Sequence, residues 1–199
     1  ILSAADAACY IAKENGRNCV HFHRLAASES AVHQQEMQWV SRLHKALDND
    51  AFELYLQRIQ DINAQDQPSE HYEVLLRMIG DDNKTIPPGA FLPAAERFNL
   101  ITHLDQWVIS HVFKKLLALK KRNALPDKLK IAINLSGLSM INEPLLQHII
   151  HLIETSGIPA HTFCFEVTET AAISNLIKAS AFLQALREKG CTIALDDFG

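Results

Sequence analysis

The sequence predicts an α/β fold: a partial TIM-type (β/α)8 barrel with about five of eight strands, after a short αβ remnant of a preceding α/β domain. Three observations carry this. From Pro87 onward, helical and strand-like patterns alternate as helix, strand, helix, strand, helix, strand, the order of a parallel sheet with crossover helices. Five strand-like runs lie between Phe52 and Gly199, so eight would need roughly 240 residues, about the size of a closed barrel. A content of 48% hydrophobic and 21% charged residues supplies the core. An open doubly wound sheet shares the alternation and stands as the alternative.

The elements follow in order. Residues 3–15 read as a small-residue helix ended by Asn15-Gly16, and Asn18–Phe22 as a short strand. This 1–23 segment reads as the tail of one domain. Residues 24–47 read as a helical linker that begins the next, with Met37, Val40, Leu43 and Leu47 forming an apolar stripe. The barrel part is then 48–199. FELYLQRI (52–59) is strand-like, Asn63–Ser69 a polar turn, and HYEVLLRM (71–78) a second strand. Pro87-Pro88 opens a short helix over 89–98. Thr102 and Asp105 have the spacing of a capping box for a helix carrying Leu104, Trp107, Val108, Val112, Leu116 and Leu119. Its basic tail, Lys114 to Arg122, complements a helix C-terminus and reads as a solvated face. LKIAIN (129–134) is the third strand, followed by a helix that Gly157 stops. TFCFEV (162–167) is the fourth strand, 175–189 a helix closed by Gly190, and CTIALD (191–196) the fifth strand.

Composition removes several classes of function. The net charge of −4 excludes binding to a nucleic-acid polymer by bulk basicity. No run of about 18 apolar residues offers a membrane span, and the first residues lack a basic n-region. Cys9, Cys19, Cys164 and Cys191 form no CxxC pair, so four reduced, packed thiols of a cytoplasmic chain are expected. His21 with His23, and His148 with His151, share faces but lack a third clustered ligand.

Polar groups mark the strands. The second strand carries Glu73, the third ends at Asn134, the fourth carries Glu166 with Glu169 beyond it, and the fifth ends in Asp196-Asp197. In a parallel barrel the C-terminal strand ends gather at one rim, where active sites are built. Carboxylate and amide oxygens suit Mg²⁺ or Mn²⁺. Two such ions can activate a water and stabilise a leaving oxygen, which suits phosphodiester hydrolysis. Gln57 and Arg77 lie in strands from which they can face the same mouth, and a guanidinium fork suits phosphate. The plainer alternatives are strand-end caps and turn formers for the acids and a surface salt bridge for Arg77.

At these residues the sequence resembles the EAL family of cyclic di-GMP phosphodiesterases. The matching stretches are LYLQRI (54–59), YEVLLRM (72–78), 86–109, INLS (133–136), FEVTET (165–170) and LREKGCTIALDDFG (186–199). The resemblance covers 36–199. The segment LSAADAACYIAKENGRNCVHF resembles the C-terminal tail of a GGDEF (diguanylate cyclase) domain. The resemblance implies bacterial second-messenger signalling by hydrolysis of cyclic di-GMP to pGpG at a two-metal site. Glu73, Asn134, Glu166 and Asp196 would be metal ligands, and Asp197 would hold the second metal and the attacking water. Glu73, Asp196 and Asp197 form the catalytic set; Gln57 and Arg77 would contact the dinucleotide. Glu169 would brace the loop after DDFG and shape a homodimer surface.

The sequence departs from the family at two places. Val74 stands where the signature has Ala, a mild apolar change. Arg58 follows Gln57 where the family has Pro, which removes a backbone constraint and adds a charge. The family's bracing loop, downstream catalytic lysine and later glutamates fall beyond Gly199. The 199 residues are therefore expected to be inactive alone, with activity in the intact parent. A catalytically inactive EAL module, acting as a cyclic di-GMP receptor or signal transmitter, is the alternative; an unrelated metal-dependent barrel enzyme is a weaker one.

Overall fold

The computed structural model describes residues 29–60, 70–168 and 176–196, with side chains from residue 38, and from residue 178 in the last segment. The expected 3–15 helix, the 18–22 strand, Cys9, Cys19, His21, His23, the 63–69 turn, Glu169 and Asp197 lie outside them. The chain divides into two compact units, 1–39 and 40–199. Helix α1 (Glu29–Asp48) runs across the division, and the rest of the described chain lies in the second unit. Leu43 and Ala46 of α1 are buried, in keeping with the apolar stripe. Among the described residues no helix is long and apolar enough to cross a membrane.

A six-stranded sheet organises the second unit. Strands β1 (Phe52–Ile59) and β2 (Glu70–Ile79) are antiparallel, with Gln57 opposite Glu73 and Glu53 opposite Arg77. Strands β4 (Leu129–Asn134), β5 (Phe163–Thr168) and β6 (Thr192–Asp196) follow β2 in parallel order. The two-residue β3 (Thr85–Ile86) pairs with the end of β2. The sequence reading counted Phe52–Ile59 among the strands of a parallel barrel. It is antiparallel because residues 60–69 are too few for a crossover, which takes a dozen residues or more.

Helices α2 (Leu92–Arg97), α3 (Ile101–Lys121), α4 (Glu143–Ser156) and α5 (Leu176–Glu188) occupy the connections. Strand alternation sends Val74, Ile131, Ile133, Phe163, Phe165 and Val167 to the face that packs on helices. The Phe113 and Phe163 rings stack there at 4.3 Å between centroids. Burying each such side chain contributes about 1.5–3 kcal/mol.

Local chemistry sets the helix ends. Asn142 caps α4, its side chain accepting from the Leu145 amide at 3.0 Å. Gly157 ends α4 at φ +62°, a left-handed conformation that suits glycine. Lys120, on the basic tail of α3, donates to the Ser156 and Gly157 carbonyls. That charge therefore serves the neighbouring helix's C-terminus as well as its own. The expected Thr102–Asp105 capping box does not form. The cap residue of α3 is Leu100, with no side-chain cap bond, and Asp105 is buried and bonded elsewhere. The spacing signal was genuine, but the helix starts one residue before Thr102, which places both residues inside it.

Candidate functional site

The register places the expected site residues on one face of the sheet. In a strand, residues two apart share a face, and ladder partners share it as well. Gln57 pairs with Glu73, and Glu73 with Ala132. Asn134 lies two residues beyond Ala132 and pairs with Glu166. Glu166 pairs with Ala194, two residues before Asp196. Arg77 lies four residues beyond Glu73. Gln57, Glu73, Arg77, Asn134, Glu166 and Asp196 therefore share a face, opposite the one packed on helices. Asn134 and Asp196 are the last residues of their strands, so the C-terminal edge of the parallel strands carries the oxygens.

Small residues stand between them on this face. Ala132, Cys164 and Ala194 separate the polar residues along β4, β5 and β6. Asn134 Nδ2 donates to Glu73 Oε1 at 2.9 Å, joining β2 to β4. Burial raises the Glu166 carboxyl above the usual carboxylate range, and the charges of Glu73 and Asp196 raise it further. Glu166 thus lies near two other carboxylates, Glu73 and Asp196. Among the described residues no group of three His, Cys, Asp or Glu side chains is drawn close enough to hold a metal ion as it stands. The donor set is nevertheless the right one for a hard cation: carboxylates and an amide, with a charge repulsion that a cation would relieve.

Arg77 is held against its own strand. Its Nη1 donates to the Leu76 carbonyl at 2.8 Å, and its guanidinium lies 5.5 Å from the centre of the Tyr55 ring. Gln57 is exposed on β1. The two cysteines within the described residues, Cys164 and Cys191, are free and buried, and burial pushes the Cys191 thiol up to about 11. His148 meets Ser110 at 2.9 Å between Nε2 and Oγ, so this ring has a hydrogen-bond partner within the fold.

Sequence reasoning missed the support beneath Asn134. Asp105 of α3 is buried, and its Oδ2 accepts from the Ser136 amide at 3.0 Å and the Ser139 hydroxyl at 2.7 Å. Ser136 Oγ in turn donates to Ser139 Oγ at 3.0 Å. The Leu135 amide donates to the Glu166 carbonyl at 2.8 Å, which continues the β4–β5 ladder past Asn134. The available signal was a lone acid in an otherwise apolar helical stripe, Leu104-Asp105 before Val108.

Comparison with known proteins agrees with this architecture. Residues 40–199 match the family profile described as the EAL domain. The chain is 35% identical over 199 residues to the cyclic di-GMP phosphodiesterase PdeB of Shewanella oneidensis, covering all of this chain and 23% of PdeB. It is 36% identical over 160 residues to the cyclic di-GMP phosphodiesterase PdeF of Escherichia coli, covering 80% of this chain and 20% of PdeF. The chain thus spans about a fifth of the length of these curated relatives. Among solved structures, the FimX EAL domain of Pseudomonas aeruginosa bound to c-di-GMP superposes with a TM-score of 0.71 at 27% identity, covering 81% of this chain and 62% of that one. The S helix-GGDEF-EAL structure of Vibrio cholerae LapD superposes with a TM-score of 0.70 at 23% identity, covering all of this chain and 45% of that one.

Proposed function

The chain belongs to the EAL domain family, and from that premise we propose that the protein it forms part of hydrolyses cyclic di-GMP to pGpG with Mg²⁺ or Mn²⁺. The observation that carries the reading is the shared face of Glu73, Asn134, Glu166 and Asp196, with the Asn134–Glu73 bond joining two of its strands. Glu73, Asn134, Glu166 and Asp196 would hold the metal, and Asp197, the next residue after β6, would complete the set. Bound metals would supply a water of lowered pKa and a counter-charge for the leaving oxygen. The chain's own residues do the rest. Asn134 fixes the Glu73 carboxylate through its amide. Arg77, partly buried on the same face, offers a planar fork to a phosphate, and Gln57 offers an amide to the dinucleotide. By the family resemblance, Glu169 would brace the loop that follows Asp197.

The names of PdeB and PdeF support this substrate and reaction. The order of domains in LapD supports a GGDEF domain upstream of the EAL domain, within 1–23 and before it. We also place the protein in the cytoplasm, or on the cytoplasmic face of the inner membrane if the protein has upstream membrane segments, as a homodimer through the EAL domain.

Arg58 motivates a second reading, a receptor that binds cyclic di-GMP without cleaving it. The full-length protein separates the two. Incubated with labelled cyclic di-GMP and either metal, it should release pGpG. Saturable binding with intact dinucleotide recovered would favour the receptor.

A further inference from the structure

The strand that carries Asn134 ends in a clamp. After Leu135 the chain leaves the sheet and turns through a single helical turn at Ser139–Ile141 before α4. Connections of this kind are usually the softest part of an α/β unit. This one is fastened from below. The buried Asp105 carboxylate takes both the Ser136 amide and the Ser139 hydroxyl on one oxygen. Ser139 is fully buried, and the Ser139 amide is close to Ser136 Oγ at 3.3 Å. The Leu135 amide is tied to the Glu166 carbonyl. Asn134 itself is exposed, so its own packing does not hold it. Its backbone is held by the ladder to Glu166 and by the fastened residues that follow it.

We propose that Asp105 is a positioning residue for the metal-site edge: by holding Ser136 and Ser139 it fixes the backbone on which Asn134 stands, and through Asn134 the orientation of Glu73. The inference rests on the hydrolase reading for its kinetic consequence and on the hydrogen bonds alone for its structural one. A carboxylate suits the role because it accepts two hydrogen bonds at once and donates none. Burial raises the Asp105 carboxyl above the usual carboxylate range, and the hydrogen bonds from Ser139 and Ser136 offset part of that rise. Residues that orient metal ligands in this way commonly change affinity or activity by about 10–100-fold when removed.

The test uses full-length protein with Asp105→Ala, Asp105→Asn and the milder Ser139→Ala. Hydrogen exchange is followed over 133–141 and over α4, and kcat, KM and the Mn²⁺ concentration for half-maximal rate are measured. Asp105→Ala should exchange faster over 133–141 with α4 unchanged. It should lose about 10–100-fold in kcat with KM for cyclic di-GMP within about 2-fold, and need more Mn²⁺. Asp105→Asn, which keeps an acceptor oxygen, should recover most of both. If Asp105→Ala does not fold, Ser139→Ala should show the same changes in smaller measure. Faster exchange with parental kcat and Mn²⁺ requirement would overturn the positioning role, as would unchanged exchange. A wild-type protein with no hydrolysis would defeat the functional reading, and the exchange data would still decide whether the clamp exists.

Discussion

Asn134 on β4 donates from Nδ2 to Oε1 of Glu73 on β2, at 2.9 Å. Residues 61 apart in sequence are thereby joined on the edge where the parallel strands end. The bond leaves the Asn134 carbonyl oxygen and the second Glu73 oxygen uncommitted to each other, and it accounts for an amide in an otherwise acidic row. An acid at 134 would add a fourth negative charge beside Glu166.

Glu73→Ala and Asn134→Ala separate chemistry from stability. Asn134 is exposed and Glu73 half-buried, and neither contributes to the apolar core. Each substitution should change unfolding free energy by only about 0.5 kcal/mol. Hydrolysis by full-length protein should be lost with Glu73→Ala and fall steeply with Asn134→Ala. Urea unfolding and product formation on the same preparations check both halves.

Glu166 makes the metal-free protein sensitive to pH. Its folded pKa is raised above the ordinary 4.5 by burial, then by Glu73 and Asp196. An acid raised in the folded state contributes stability that is present below its unfolded value and lost as pH rises through the folded value. In EDTA, Glu166→Gln should therefore be more stable than the parent at pH 7, and the difference should shrink toward pH 4. Added Mn²⁺ should stabilise the parent and not the variant. Paired Tm measurements across that range decide it.

The core prediction concerns Phe163. Its ring is fully buried and stacked on Phe113. Phe163→Ala should cost about 3–5 kcal/mol, because the cavity left between strand and helix cannot collapse fully. Equilibrium denaturation should show a lower midpoint with little change in slope.

His148 predicts an acid-side loss of stability. Its pKa is lowered from the ordinary 6.5, first by burial and then by the charge of His151. The unfolded chain takes up a proton near 6.5 while the folded chain resists it. Stability from this group is therefore full above that value and lost as pH falls through the lowered one. His148→Gln should flatten the decline in Tm between pH 7 and 5. His71, shifted in the same direction by burial and Lys130, leaves a residual slope in both proteins.

Much of this was legible in the sequence. FELYLQRI and LKIAIN form strands at the expected bounds, because β-branched and aromatic runs between turn residues leave little choice. Asn134, Glu166 and Asp196 were expected at one rim from their places at strand ends, while the face they share with Glu73 emerges only from the strand register. Strand direction was not legible for β1, where only the length of the connection speaks. Nor was β3, two residues held by pairing with Met78 and Ile79. Asp105 was misassigned because a spacing of three to Thr102 satisfies a capping pattern, while its true partners, Ser136 and Ser139, lie over 30 residues away. Local pattern carries local structure; a buried polar bond across elements has no such signature.

The account turns on metal-dependent cleavage by this face. The most direct measurement follows pGpG formation from cyclic di-GMP by the full-length protein and its Glu73→Ala variant, with Mg²⁺ or Mn²⁺ and with EDTA. Product should form only with the parent and only in the presence of metal. Well-folded parent that yields no pGpG with either metal, or a Glu73→Ala variant that cleaves at the parental rate, would contradict it.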